Sequence, residues 1–297
     1  MKKIGTRSMS KNWGALRNTG VTVGTAIVTL VILGLISVYL LMTINLNLRT
    51  ERNDISITIR DSTITPTLIR VAVVGDTHVK EDLDALTRFR QLVLEVKDAD
   101  PDLILFTGDY IESPRRISDI HIHRERIVKT IEQTNPIPRL VVLGNYETWS
   151  DADKWYEEFT RFGVDVLENE VRLVETRVGP ICIRGLGDNF TGRYRYVDFP
   201  KECDDKPKLT MTHDPAAAFY ENVQGLVIAG HTHCGQIKLP LVGILWTPSK
   251  APSNGNCGLY VDQDRTVFVT SGVGTSILPI RFGAQSQWDF INVRFEN

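Results

Sequence analysis

The sequence has no surplus of positive charge. Its 34 Lys and Arg stand against 36 Asp and Glu, a formal net charge of -2. The broad basic field that draws a protein to a nucleic-acid polymer is therefore missing, and an anionic substrate would have to be met locally. No nucleic-acid polymer is expected as a partner. There is also no internal repeat and no low-complexity tract, which excludes solenoid arrays and disordered scaffolds. Cysteine is scarce. Cys182, Cys203, Cys234 and Cys257 fit no zinc-ribbon spacing, and as an even set they allow three disulfide pairings outside the cytoplasm.

Charge is absent altogether from residues 21–43, and no acid accompanies Lys2, Lys3, Arg7, Lys11 and Arg17 before them. At about 1.5 Å per residue a helix of that length reaches roughly 35 Å, enough to cross the ~30 Å hydrocarbon core of a bilayer. A buried core helix meets the same length test, and a signal peptide would need a shorter apolar core and a small-residue cleavage site. Residues 40–45 offer no A-x-A, so a retained anchor is expected. The expected organisation is a basic segment over 1–20, a transmembrane anchor over 21–43, a linker with an edge strand over 44–68, and a folded domain over 69–297. Positive charge before the span and mixed charge after it place the amino terminus in the cytoplasm and the folded domain on the far side.

What the folded part does contain is a set of apolar runs that end in metal-ligand side chains. Residues 70–74 run into Gly75-Asp76-Thr77-His78, and residues 103–106 into Gly108-Asp109. Residues 140–143 meet Gly144-Asn145, residues 209–211 meet Thr212-His213-Asp214, and residues 226–229 meet Gly230-His231-Thr232-His233. In extended backbone, residues i and i+2 face the same way, which would aim Asp76 and His78 at one point. Ligands of open α/β sheets bind beyond the carboxyl ends of the strands, where all these side chains would lie. Four of the six histidines belong to these motifs. The other two, His121 and His123, sit at the start of a charged helix and are expected on its surface.

Between the runs, residues 81–96 carry Leu83, Leu86, Phe89, Leu92, Val93 and Val96 at helical spacing, and a second helix is expected over 120–133. Ser150 with Asp153 reads as a helix start, Trp155, Tyr156, Phe159 and Phe162 as its buried stripe, and Gly163 as its exit. Strands follow at 164–167, 171–175, 181–186, 209–211, 226–229, 237–239, 258–261, 266–269 and 290–295, after a short edge strand at 55–59. The pattern predicts an α/β fold of two packed mixed β-sheets flanked by helices.

The ordered set Asp-x-His, Gly-Asp, Gly-Asn, His and Gly-His-x-His resembles the calcineurin-like metallophosphoesterase superfamily, from residue 70 onward. Gly230-His231-Thr232-His233-Cys234-Gly235-Gln236-Ile237, Thr247-Pro248-Ser249, Gly258-Leu259-Tyr260 and the run from Ser271 to Arg281 resemble its membrane-anchored or exported bacterial branch. That branch includes UDP-2,3-diacylglucosamine hydrolases and general phosphodiesterases. The resemblance implies a four-layer sandwich, a location in the bacterial inner membrane with the catalytic domain extracytoplasmic, and two divalent metal ions, Mn, Fe or Zn. Asp76, His78 and His233 would hold the first ion, and Asn145, His213 and His231 the second, with Asp109 bridging. It implies hydrolysis of a phosphodiester or pyrophosphate, lipid-linked or nucleotide-linked, by in-line attack of a metal-bridging hydroxide. UDP-linked sugars belong to the cytoplasm, which conflicts with an extracytoplasmic domain.

Asn145, Tyr146 and Glu147 form the implied catalytic loop, and here the sequence departs from the family, which has Gly-Asn-His followed by Asp or Glu. A phenol with pKa near 10 is a poorer proton donor at neutral pH than an imidazole near 6.5. Two readings follow: a degenerate site, down to a non-catalytic metal-binding membrane protein, or a substrate whose leaving group needs no proton. Lys250 stands where relatives tend to have Arg, and Arg281 lies in the Leu-Pro-Ile-Arg run. Both are candidate phosphate contacts, with a solvated surface cation as the other reading of each. Asp188 is a candidate for orienting a histidine. Cys234 replaces a glycine common in relatives, so Cys234 with Cys257 is the first pairing to test. A protein Ser/Thr phosphatase is disfavoured, because Tyr110-Ile111-Glu112 follows Asp109 in place of the Val-Asp-Arg-Gly run of that group.

Overall fold

The computed structural model describes residues 13–47 and 50–297, so residues 1–12 of the basic segment lie outside the described residues. Two compact units are distinguished, Met1–Ile44 and Asn45–Asn297. One helix covers Trp13–Asn47, and its stretch Val23–Leu41, within the first unit, is long and apolar enough to cross a membrane.

The second unit is built on two six-stranded sheets. The first has the order Glu51–Arg60, Gln287–Glu296, Thr67–Val74, Leu103–Phe106, Arg139–Val141, Asp165–Val166. The last four strands are parallel, Gln287–Glu296 is antiparallel to Thr67–Val74, and Glu51–Arg60 lies parallel to it at the edge. The edge strand is longer than residues 55–59 because its polar first half is held by the ten-residue register with Gln287–Glu296. The second sheet has the order Gly258–Val261, Arg265–Val269, Gly225–Ala229, Lys208–Met211, Gly179–Gly185, Glu170–Thr176. Its four inner strands are parallel and both outer strands antiparallel.

Strand periodicity of two divides the cores. Val71 and Val73 face Leu209, Met211 and Ile228 in the layer between the sheets. Their neighbours Ala72 and Val74 face the helices Leu83–Asp98, Ile120–Glu132 and Ala152–Arg161. On the outer face of the second sheet, Val227, Ala229, Val267 and Val269 are covered by the short 3-10 turn Pro215–Phe219 and the loop of Tyr194 and Tyr196, not by α-helices. Cys182 is joined to Cys203 and Cys234 to Cys257.

Four local expectations need correction. Leu83 is exposed because it is the first helical residue, where Asp82 caps the helix by accepting from the Ala85 N–H at 2.7 Å. His123 is fully buried, its Nε2 bonded to the Val79 carbonyl at 2.9 Å, which supplies the partner a buried imidazole requires. Asp151, in the left-handed region at φ 79°, caps Ala152–Arg161 in place of Ser150, whose hydroxyl instead accepts from Trp155 Nε1. Tyr156 is turned outward while Trp155 and Phe159 are buried. In addition, Asn145–Trp149 forms a short helix directly behind the third parallel strand, where sequence periodicity is too brief to register.

Candidate metal centre

The parallel strands stop two to four residues before the ligand candidates, and the backbone then turns. Asp76, His78, Asp109, His231 and His233 all have positive φ, between 42° and 70°. A non-glycine residue in that region is held there against a cost of roughly 1–2 kcal/mol. Their convergence therefore comes from turned backbone, and the alternation of an extended strand plays no part in it. The turned loops are laced together past the strand ends: Asp76 N–H donates to Gly108 O at 3.0 Å, and His78 N–H to Asp109 O at 3.1 Å. The glycines preceding the ligands are required by close approach. A Cβ on Gly230 would lie 2.7 Å from Asp76 Oδ2, and one on Gly144 would run into Asp109.

Asp76, His78 and His233 bring one ligand atom each within 4.8 Å of one another, and Asp109, His213 and His231 do the same beside them. Within the first group, His78 Nε2 is 3.0 Å from His233 Nε2, which is 3.8 Å from Asp76 Oδ1. Within the second, His213 Nε2 is 3.1 Å from His231 Nδ1 and 3.2 Å from Asn145 Oδ1. Asp109 Oδ2 belongs to both, at 3.7 Å from His78 Nε2 and 3.4 Å from His213 Nε2. All seven predicted ligand side chains are thus gathered, and all are buried. Backbone carbonyls set two of the rings: Ile111 O accepts from His78 Nδ1 at 3.2 Å and Thr107 O from His213 Nδ1 at 2.7 Å. In each case Nε2 is left pointing into the cluster.

The electrostatics fit a cation. Burial holds His78 and His231 down to about 4 and His233 well below its ordinary range, so these rings keep their lone pairs. Burial alone would raise Asp109, but His213, His78 and His231 around it outweigh that and hold it at about 2. Burial also opposes a charged His213, yet the adjacent Asp109 carboxylate lifts it well above its ordinary value. A proton on His213 thus sits among Asp109, Asn145 and His231, where a cation would displace it. The buried Nε2 of His231 has no hydrogen-bond partner among the described residues. Mixed nitrogen and oxygen donors of this kind suit a transition-metal dication.

The calcineurin-like phosphoesterase family profile matches residues 69–235, more than half of the chain and the whole span between the first strand-end motif and the last. The chain belongs to the calcineurin-like phosphoesterases. It is similar to the metallophosphoesterase YkuE of Bacillus subtilis, 27% identical over 77% of this chain and 80% of that one. The phosphodiesterase YaeI of Escherichia coli is 26% identical over 59% and 64%. A transmembrane protein with a metallophosphoesterase domain from Danio rerio is 26% identical over 74% of this chain, which spans about half (52%) of that relative. Among solved structures, a dimetal phosphatase from Danio rerio is 11% identical over 69% of this chain and 87% of that one, with a TM-score of 0.45. This phosphoesterase is accordingly a metal-dependent hydrolase of phosphate esters, of a dimetal family. No observation favours the non-catalytic alternative.

The other candidate residues of this phosphoesterase are placed less simply. Tyr146 packs edge-on against the His78 ring, 4.7 Å between centroids, and its hydroxyl lies 2.9 Å from Ser276 Oγ. Burial pushes the phenol above its ordinary range. Glu147 points away from the clusters. Its carboxylate accepts from the N–H groups of Asp109, Tyr110 and Gly144 at 2.8–2.9 Å, tying the second and third ligand loops together. Asp188 contacts no histidine by hydrogen bond; it accepts from Phe190 and Thr191 and closes its own turn. Lys250 is exposed and has no hydrogen-bond or ion-pair partner among the described residues.

Arg281 is no surface cation. It is buried, and Nη2 donates to the carbonyls of Ser271, Gly272 and Gly274 at 2.6–3.0 Å while lying 3.1 Å from His233 Nδ1. Its donors are therefore committed to backbone. Arg281→Met is expected to lower stability by about 2–3 kcal/mol, because three buried carbonyls lose a charged donor. The KM for a phosphate ester should stay unchanged, as urea unfolding and steady-state kinetics would check. Sequence reasoning missed two exposed aromatics packed on site residues. Phe190 lies over His231 at 4.7 Å and Trp149 over Tyr146 at 5.1 Å, both exposed. The only sequence signal was their position, four and two residues after Asn145 and Asp188.

Proposed function

We propose that this phosphoesterase is a membrane-anchored hydrolase that cleaves a phosphoanhydride, a pyrophosphate linkage in an amphiphilic or nucleotide-linked molecule, in preference to an alkyl phosphodiester. The observation that carries the substrate is Tyr146. It follows Asn145 where the family resemblance implies the proton donor to the leaving oxygen, packs edge-on against His78, and is made an even poorer donor at neutral pH by burial. A leaving phosphate, with a second pKa of about 6, departs without being protonated, whereas an alkoxide does not.

In this reading Asp76, His78 and His233 hold one divalent ion, Asn145, His213 and His231 the other, and Asp109 both. When bound, two such ions supply a nucleophile from water at neutral pH and offset the charge on the phosphoryl oxygens. The chain's own part is to fix those donors: Thr107 and Ile111 set the imidazoles through their carbonyls, and Glu147 holds the loops of Asp109 and Asn145 in register. Glu147 is then a positioning residue. Residues 23–41 serve as the anchor. Two disulfides support an oxidising, extracytoplasmic setting for the catalytic domain, in line with the charge bias around the span. That setting argues against a UDP-linked sugar as substrate.

The test is hydrolysis by the purified full chain, loaded with Mn, of an organic pyrophosphate and of an alkyl phosphodiester at equal concentration. Faster formation of phosphate monoester from the anhydride is expected. Faster cleavage of the alkyl diester would overturn the proposal.

A further inference from the structure

Directly after His233 the chain leaves the metal centre and forms a two-stranded hairpin, Lys238–Leu239 against Gly243–Ile244, with Pro240-Leu241-Val242 at its tip. The hairpin is fastened to the loop of residues 276–282: Gln236 Nε2 donates to Leu278 O at 3.1 Å, and Lys238 N–H to Phe282 O at 2.7 Å. Instead of hiding apolar side chains, the two segments display them. Leu241 is wholly exposed, Val242, Leu245 and Trp246 are 56–68% exposed, and Ile277 and Leu278 are 71% and 52% exposed. Leu241 and Ile277 also have φ of 66° and 60°, a left-handed backbone that an exposed leucine and isoleucine do not adopt for their own stability. A cluster of six large apolar side chains on one pair of fastened loops marks an interaction surface.

The charge around it selects the partner. Residues 222–261 and 265–288 contain no Asp or Glu, and Lys238 and the unpartnered Lys250 are exposed in the first of these segments. Apolar tips with a tryptophan, flanked by cations and free of acids, match the boundary of an anionic bilayer, where indole sits at headgroup level. We infer that the hairpin of residues 237–246, with Ile277 and Leu278, inserts into the surface of an anionic lipid bilayer and presents the metal centre to phosphate groups at headgroup depth. The link to the site is short: Ser276, beside Ile277, bonds the Tyr146 hydroxyl that packs on His78, and the Cys234–Cys257 bridge braces the base of the hairpin. This inference rests on the proposed anchoring of the chain through residues 23–41, which keeps the hairpin within reach of a bilayer.

The experiment uses the full chain in vesicles of phosphatidylcholine and phosphatidylglycerol with brominated acyl chains, comparing wild type with Trp246→Phe. The expected result is a bromine-quenched tryptophan component that Trp246→Phe removes. A protein that floats with the vesicles while Trp246 is unquenched overturns the hairpin insertion and leaves the anchor standing; a protein that does not float overturns both. A dimer of the full chain in detergent that Leu241→Ser with Val242→Ser dissociates would assign the patch to a second copy of the chain and also overturn it. As a second arm, the double variant Leu241→Ser with Val242→Ser should hydrolyse a soluble phosphate ester at the wild-type rate. Its turnover of a phosphate ester carried on a vesicle lipid should fall by about tenfold, since two apolar side chains no longer bury in the interface. Equal loss on both substrates would count against the inference.

Discussion

Asp109→Ala is expected to cut the bound metal from two equivalents to one or fewer and to lower kcat by about 10³-fold or more. The reason is position. Asp109 Oδ2 reaches the imidazoles of both clusters, His78 at 3.7 Å and His213 at 3.4 Å. In the proposed two-ion reading, removing it would take a ligand from each site and also the negative charge that would let two neighbouring dications tolerate each other. Several kcal/mol of transition-state charge stabilisation come from such a pair, which sets the size of the loss. Metal content by plasma mass spectrometry and phosphate release on one preparation would check it. Asp109→Asn sharpens the result, because it keeps the shape and an oxygen donor and loses only the charge. Retention of two equivalents and of activity in both variants would mean that the clusters are structural.

Tyr146→His is expected to raise alkyl phosphodiester hydrolysis by about 10²-fold while leaving pyrophosphate cleavage nearly unchanged. General acid catalysis contributes about 10²–10⁴-fold where the leaving group needs a proton, and nothing where it does not. The substitution replaces a phenol that burial has pushed up with an imidazole whose ordinary pKa is near 6.5. Tyr146 also bonds Ser276, so Tyr146→Phe is the control: it removes the hydroxyl and supplies no acid. An equal rise on both substrates in Tyr146→His would show that the tyrosine impedes access and has no bearing on leaving-group choice.

The clustering of the candidate ligands was legible because their residues are chemically unambiguous and recur in one context. Four histidines, two aspartates and an asparagine each follow an apolar run, and the structure gathers all seven. The two sheets were legible for the same reason, since apolar alternation and parallel runs are local signals. What was not legible depends on where a side chain's hydrogen bonds go. Arg281 and Glu147 look like site residues by position, yet Arg281 is bound to carbonyls of its own loop and Glu147 to backbone amides that include those of the distant Asp109 and Tyr110, facts that no residue pattern records. His123 looked like a surface residue because its neighbours are charged, and its partner, the Val79 carbonyl, comes from a different loop. The turned backbone at Asp76, His78 and His233 was hidden as well, because aspartate and histidine do not announce positive φ as glycine does. The edge pairing of Glu51–Arg60 depends on a strand at the other end of the domain and could not be anticipated from either segment alone.

That last pairing constrains how the domain can be born. Gln287–Glu296 is wedged between Glu51–Arg60 and Thr67–Val74, so the two earliest strands to emerge from the ribosome share no hydrogen bonds with each other and must wait for one of the latest. Throughout synthesis the first sheet has a gap near its edge, with Ile57, Val71 and Val73 lacking the neighbours Ile291 and Val293 that later seal it. Closure over so long a stretch of chain is slow by comparison with local contacts.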